Sequence, residues 1–136
     1  MRYLLFLLTL SISLAMCKSE PASVKAQYPT FWQKNNIPEF EEGLITKTST
    51  NEEGIKVSQT VYVETSSSFE EIHSWFLNEF KSNGWKNVKN LRKNIGQDDE
   101  LVILVHTLGK LKHSITVLKV ENDRQQIKTV VSKFSN

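Results

Sequence analysis

The sequence predicts an α+β domain in which an antiparallel sheet of about five or six strands packs against one helix on one face, in the order ββαββββ. Three observations support this prediction. Apolar and polar residues alternate in several short segments, as is typical of strands. The segment 69–80 instead repeats its apolar residues at helical spacing. Turn-forming residues separate these segments.

The first two strands are predicted at residues 44–48 and 55–63. The turn residues 51–54, Asn-Glu-Glu-Gly, lie between them. We therefore expect the two segments to pair as a hairpin.

The helix begins after Ser68, because Ser68 and Glu71 form the Ser-x-x-Glu pattern of a capping box. At 100° per residue, Phe69, Phe76 and Phe80 fall on one line of the helix surface. Gly84 is placed to end the helix in a left-handed conformation.

Further strands are predicted at residues 85–91, 101–107, 111–120 and 126–134, separated by turn residues at 94–99 and 121–123. Residues 101–105, Leu-Val-Ile-Leu-Val, lack alternation, which predicts a strand buried on both faces. Since the helix covers only one face, we expect Tyr28, Phe31 and Trp32 to cover the other. A second protomer or another protein is the alternative.

The N-terminus has the features of an export signal at residues 1–16. Arg2 precedes an apolar run at residues 3–14, and small residues follow it. This run is shorter than the roughly 20 residues of a membrane-spanning helix. Cleavage after Ala15 would give a soluble secreted or periplasmic protein, whereas cleavage before Cys17 would give a lipoprotein.

The residues Leu14-Ala15-Met16-Cys17 resemble the lipobox of bacterial lipoproteins, although Met16 stands where a small residue is usual. The resemblance implies that Cys17 carries acyl chains such as palmitate. The cysteine count agrees with it, because Cys17 is the only cysteine and acylation would cap its thiol. Lys18 follows in place of a retention aspartate, which favours the outer over the inner membrane.

Residues 17–36 are predicted to form a lipidated N-terminus, a tether and an aromatic segment, and residues 37–136 a single α+β domain. The net charge of +2 falls by one with the loss of Arg2. A nearly neutral chain argues against nucleic acid as a partner. We interpret the basic stretch Lys86, Lys89, Arg92 and Lys93 as a solvated strand face rather than a site for an anionic ligand.

A second resemblance involves the helix. The residues Ser68, Glu71, Trp75-Phe76, Phe80 and Asn83-Gly84-Trp85 look like a signature of small uncharacterised bacterial lipoproteins with a ββα-plus-strands domain. These are mainly cap, core and helix-stop positions. The resemblance therefore implies a fold and supplies no catalytic residues.

The histidines provide the main chemical hypothesis. A two-residue turn at Gly109-Lys110 would place His106 opposite His113, and His73 lies within about 40° of the apolar line of the helix. Three imidazoles could hold zinc with an open position. Metal-ligand spacings such as His-x-x-x-His are absent from the sequence, so we interpret His106 and His113 as solvated at a hairpin tip and predict no metal site.

The leading functional interpretation is a non-enzymatic cell-envelope lipoprotein, an interaction or structural module anchored through acylated Cys17. Its expected partners are the lipid bilayer and another envelope protein, with no cofactor beyond the covalent lipid. The alternative is a soluble exported protein that binds a small ligand or a metal in a pocket near His73, His106 and His113.

Overall fold

A computed structural model of the chain describes residues 26–94, 100–119 and 123–134. Strands account for 56% and helices for 19% of these residues. The elements in chain order are α1 (Thr30–Lys34), β1 (Leu44–Glu53), β2 (Lys56–Thr65), α2 (Phe69–Ser82), β3 (Lys86–Asn94), β4 (Glu100–Leu108), β5 (Leu111–Lys119) and β6 (Gln125–Phe134).

The strands of the described residues form one six-stranded sheet with the order β1-β2-β6-β5-β4-β3. Every neighbouring pair is antiparallel. The predicted hairpin of β1 and β2 is confirmed. The two edge strands are both irregular, since a bulge interrupts β1 between Ile45 and Lys47 and another interrupts β3 between Asn87 and Lys89.

The boundaries of α2 follow the prediction. The Ser68 side chain accepts from the backbone N–H of Glu71, and the Glu71 side chain accepts from the backbone N–H of Ser68, so the capping box is confirmed. At the other end Gly84 adopts φ +80°. The Trp85 N–H donates to the Phe80 carbonyl at 2.9 Å and the Gly84 N–H to the Lys81 carbonyl at 3.1 Å, which is a Schellman motif.

The predicted fold class, ββαββββ with one helix, is wrong. A second helix, α1, precedes the sheet, and the strands outweigh the helices by far. It begins where the Trp32 N–H donates to the Pro29 carbonyl at 2.8 Å and ends before Asn36, whose φ of +49° breaks the helical path. Five residues are too few for a helical repeat of apolar positions to emerge from the sequence.

Both helices lie on the same face of the sheet, which we call the inner face. The Trp32 ring contacts His113 of β5 edge-on at 6.1 Å, and Phe76 of α2 stacks on the same imidazole at 5.8 Å. The prediction that Tyr28, Phe31 and Trp32 cover the opposite, outer face is therefore wrong. Along β4 the buried residues Val102 and Leu104 alternate with half-buried ones, so this strand is fully buried on the inner face only.

The inner face and the two helices enclose the hydrophobic core. The buried apolar side chains of the described residues are Trp32, Ile37, Phe40, Val61, Val63, Phe69, Ile72, Phe76, Phe80, Trp85, Val102, Leu104, Ile115, Val117, Ile127 and Val131. In the same part of the chain, neither helix has the length and apolar composition that crossing a membrane requires.

Candidate functional site

Two histidines lie inside this core. His106 of β4 and His113 of β5 are directly opposite each other, as the two-residue turn at Gly109-Lys110 predicts. Their exposed fractions are 1% and 0%. The interpretation of two solvated imidazoles at a hairpin tip is therefore wrong. The reason is that α2 extends over this end of the hairpin and brings Phe80 against both rings.

The two imidazoles belong to a chain of hydrogen bonds. His106 Nδ1 and His113 Nδ1 are 3.3 Å apart, and His113 Nε2 lies 2.7 Å from the Thr129 hydroxyl on β6. Neutral imidazole donates from one nitrogen and accepts at the other. If the Thr129 hydroxyl donates to His113, then His113 donates to His106, and His106 carries its proton on Nε2. If Thr129 instead accepts from His113, then His106 donates to His113, and His106 Nε2 is an acceptor.

The aromatic surroundings keep both rings uncharged. Phe80 stacks on His113 with ring centroids 4.1 Å apart and on His106 at 4.6 Å. Burial among these rings lowers the pKa of His106 to about 4. It lowers the pKa of His113 well below its ordinary value, and neighbouring His106 adds to that effect. Both side chains are therefore neutral at pH 7.

His73 does not join this pair. Its Nε2 lies 2.8 Å from the Asn90 side-chain oxygen of β3, in an exposed setting. Within the described ranges, no group of three or more histidine, cysteine, aspartate or glutamate side chains could hold a metal ion. The structure thus brings together two of the three candidate histidines and leaves the third on the surface.

A cavity of about 430 Å³ lies between the second half of α2 and the edge of the sheet. Helix α2 contributes Leu77, Asn78 and Lys81 to its wall, and the sheet side contributes Trp85, Asn87 and His106. This volume is within the range of about 300–1,000 Å³ that is typical of small-molecule sites. The alternative interpretation placed a pocket near all three histidines, but only His106 lies in the wall of this cavity.

Two ring nitrogens of the cavity-wall residues have no hydrogen-bond partner. These are Trp85 Nε1 and His106 Nε2, and both atoms are buried. An unpaired polar group in an apolar environment costs about 1–3 kcal/mol. A molecule that reached and bonded to these nitrogens would recover that free energy.

Of the wall residues, only His106 was a candidate site residue in the sequence. The sequence pattern placed Trp85 just after the helix stop and at the start of the strand 85–91. In the structure it lies against Phe80 with ring centroids 5.2 Å apart, and β3 begins one residue later. No local pattern could have signalled the unpartnered N–H, because a buried tryptophan N–H usually finds a hydrogen-bond partner.

A second cavity, of about 370 Å³, lies beside the N-terminal segment and includes Tyr28, Glu39 and Phe40 in its wall. The Tyr28 hydroxyl donates to the Phe40 carbonyl and accepts from the Phe40 N–H, both at 3.0 Å. Burial raises the pKa of Tyr28 and that of Glu39. One buried polar atom on its wall residues, Glu39 Oε1, lacks a hydrogen-bond partner, against two ring nitrogens in the first cavity. This cavity is therefore the second candidate.

The chain therefore forms a small domain in which two helices cover one face of a single antiparallel sheet. A cavity lies between helix α2 and the edge of this sheet. A family model described as START domain-like matches residues 45–127, more than half of the chain. The chain belongs to this START domain-like family. Its START-like fold replaces the predicted arrangement of one helix on a sheet. No curated protein matches the chain.

The family match covers α2, the three histidines and most of the sheet. It begins at Ile45 and so does not bear on Cys17, which also lies outside the described residues. Export, acylation of Cys17 and localisation stay predictions from the sequence.

Proposed function

We propose that this domain binds a small amphipathic molecule in the cavity between α2 and the β3–β4 edge of the sheet. The observation that carries the proposal is the pair of buried, unpartnered ring nitrogens, Trp85 Nε1 and His106 Nε2, on residues of the cavity wall. Membership of a START domain-like family also fits ligand binding better than a purely structural role.

The wall defines the chemistry of the ligand. Leu77 and the Trp85 ring offer an apolar surface, which suits a hydrocarbon body. The Trp85 N–H only donates, so the polar end of the ligand must carry an acceptor such as a hydroxyl, carbonyl or carboxylate oxygen. His106 adapts to either choice, because the bonds through His113 to Thr129 can run in both directions.

Lys81 adds a preference for negative charge. It is exposed to solvent and is the one lysine, arginine or acidic residue among the wall residues. The neutral His106 cannot act as a cationic anchor at pH 7, because burial holds its pKa at about 4. An alkyl chain with a terminal carboxylate satisfies all of these conditions.

The proposed role is binding rather than catalysis. The hydroxyl that lies closest to an imidazole is that of Thr129, at 2.7 Å from His113. Thr129 and His113 are both 0% exposed and neither lines the cavity, so this hydroxyl is separated from the proposed ligand by the His106 and His113 rings. The polar groups of the chain are therefore placed to orient His106.

The test uses octanoate and octanol as probes and the indole N–H signals of the tryptophans as the readout in NMR. On addition of octanoate, we expect the Trp85 signal to move to the position of a hydrogen-bonded indole. The Trp32 N–H is the internal control, because it is also buried and unpartnered but its residue does not line the described cavity. Octanol should bind more weakly, since it lacks the charge that pairs with Lys81.

Two matched variants complete the test. Trp85→Phe keeps the ring and removes the N–H, and it should weaken octanoate binding about tenfold, which corresponds to about 1.4 kcal/mol. Trp32→Phe should leave the affinity unchanged. Equal affinities of the two variants, or a probe that moves the Trp32 signal and not that of Trp85, would contradict the proposal.

We also propose that the domain is exported and held at a membrane by acyl chains on Cys17. The apolar run at residues 3–14, the small residues after it and the lone cysteine support this. Two or more acyl chains are needed for stable anchoring. The intact mass of protein from a bacterial host decides it: a chain that starts at acylated Cys17 supports anchoring, and a free N-terminus at Met16 contradicts it. Cys17→Ser is the control.

A further inference from the structure

The outer face of the sheet carries an exposed apolar patch on β3, β4 and β5. Residues directly opposite each other in an antiparallel pair lie on the same face. Leu91 is opposite Ile103, and Leu101 is opposite Leu118. On β4 and β5, the outer-face residues Leu101, Ile103, Val105 and Leu118 alternate with the buried inner-face residues. Leu91 is 36% and Leu118 is 41% exposed, so side chains that favour an apolar environment lie in water.

The same face is rich in lysine. On the described strands the register places seven lysines and two glutamates on it. The lysines are Lys47, Lys56, Lys86, Lys89, Lys93, Lys112 and Lys128, and the glutamates are Glu53 and Glu64. Glu64 lies 3.5 Å from Arg124 and is therefore already paired. In a chain with a net charge of only +2, this is a strong segregation of positive charge.

Lysines and leucines are placed side by side in the patch. Lys89 and Lys93 lie two residues before and after Leu91 on edge strand β3, so all three side chains are on the outer face. Lysine side chains can lie along an apolar surface and extend their charge beyond it. The apolar patch is therefore bordered by cations at the sheet edge.

The aliphatic patch and the lysines beside it argue against several binding partners for the outer face. The N-terminal aromatics pack on the inner face, so they do not cover the patch. A second copy of the chain would bring two lysine-rich faces together, which is unfavourable. The cores of protein interfaces are depleted in lysine. Binding of single-stranded nucleic acid uses aromatic platforms. The patch on β3, β4 and β5 is aliphatic, and the aromatic side chains of the outer face, Tyr62 and Phe134, lie apart from it on β2 and β6.

We propose that the outer face of the sheet docks on an anionic lipid surface. Peripheral membrane binding combines apolar side chains that enter the interface with cations that attract anionic headgroups. The aliphatic patch and its bordering lysines supply both on one face. The cavity wall belongs to α2 and the inner side of the β3–β4 edge, so this docking leaves the proposed ligand site away from the lipid.

A site-specific fluorescence experiment tests the docking. Cys17 is the only cysteine, so the full chain with Cys17→Ser provides a cysteine-free background that cannot be acylated. An environment-sensitive nitrobenzoxadiazole label is attached at Leu118→Cys on the outer face, or at Ser82→Cys at the exposed end of α2 as the control. The probes are vesicles of phosphatidylcholine, alone or in an equal mixture with phosphatidylglycerol.

We expect the label at position 118 to shift to the blue with the anionic vesicles and hardly at all with the neutral ones, while the label at position 82 does not respond. In the same background, Lys89→Gln and Lys93→Gln should each weaken vesicle binding about fivefold, the effect of about 1 kcal/mol per lysine. Lys34→Gln on α1 removes the same charge on the helix side and should have little effect.

Other results would overturn the proposal. They are an equal response at positions 82 and 118, no response at 118 to vesicles that bind the protein, or equal losses from the Lys34 and Lys89 variants. A blue shift that grows with protein concentration in the absence of vesicles would identify a second copy as the occupant. A shift with polyuridylate in place of vesicles would identify nucleic acid.

Discussion

Polar residues have opposite environments on the inner and outer faces of the sheet. The inner face includes His106, His113 and Thr129, which are buried, neutral and bonded to one another. The outer face carries lysines beside exposed leucines. Both follow from the same two-residue alternation of the strands. The comparison teaches that a polar residue under the helices must be uncharged and paired, whereas one on the open face can keep its charge.

The largest expected difference between the faces is in packing. Leu104→Ala on the inner face should lower the free energy of unfolding by about 2–5 kcal/mol, because Leu104 is fully buried and its loss leaves a cavity. Leu118→Ala on the outer face should change it by no more than about 0.5 kcal/mol, since Leu118 is 41% exposed. Urea unfolding measures both. Similar losses would mean that the outer face is also packed.

The second expected effect is a loss of stability at acidic pH. The pKa of His106 is about 4 in the folded protein and 6.5 in the unfolded chain, so the unfolded state binds more protons between these values. Stability from the neutral imidazole is therefore complete above pH 6.5 and declines toward pH 4, by about 3 kcal/mol at 1.36 kcal/mol per pH unit. His106→Gln should reduce this loss in urea unfolding at pH 7 and pH 4.5, whereas His73→Asn on the surface should not. An unchanged slope for His106→Gln would refute the assignment.

The third effect tests how firmly α2 closes the inner face. Ser68→Ala removes the side-chain acceptor of the capping box and should cost about 1 kcal/mol in the free energy of unfolding. Ser66→Ala, at an exposed residue just outside the helix, serves as the control. Thermal unfolding followed by circular dichroism measures both variants, and a loss from Ser66→Ala as large as that from Ser68→Ala would mean that the cap is not the cause.

The smallest expected effect is on the melting temperature, when cations on the two faces of β3 are replaced. Arg92 pairs with Glu70 of α2 and with Glu100, 2.7 Å away on β4. Lys93 lies next to Arg92 on the outer face. Arg92→Gln should lower the melting temperature slightly at low salt and less at high salt, because exposed ion pairs are screened. Lys93→Gln should leave it unchanged, and a larger loss from Lys93→Gln would contradict the comparison.

The sequence predicted the features that depend on local patterns. Ser68 with Glu71 and Gly84 fixed the ends of α2, and the turn at Gly109-Lys110 fixed the pairing of His106 with His113. Each depends on a few neighbouring residues with a known conformational preference. The same holds for the β1–β2 hairpin.

Features that depend on tertiary packing were not predicted. Helix α1 has five residues, and its aromatic residues carry no sign of which face of the sheet they cover. The burial of His106 and His113 depends on the position of Phe80 above them, which no local pattern specifies. The cavity is formed by residues from α2, β3 and β4, so it emerges only once these elements are placed together.

The two bulged edge strands have a consequence for the behaviour of the protein in concentrated solution. A regular edge exposes N–H and C=O groups to which a strand of another molecule can add, and this addition leads to aggregates. Here β1 is interrupted beside Lys47 and β3 beside Lys89. At each bulge, an added strand would leave hydrogen bonds unmade and would lie beside a lysine. Both edges of the sheet that the structure describes thus carry a feature that opposes growth into fibrils.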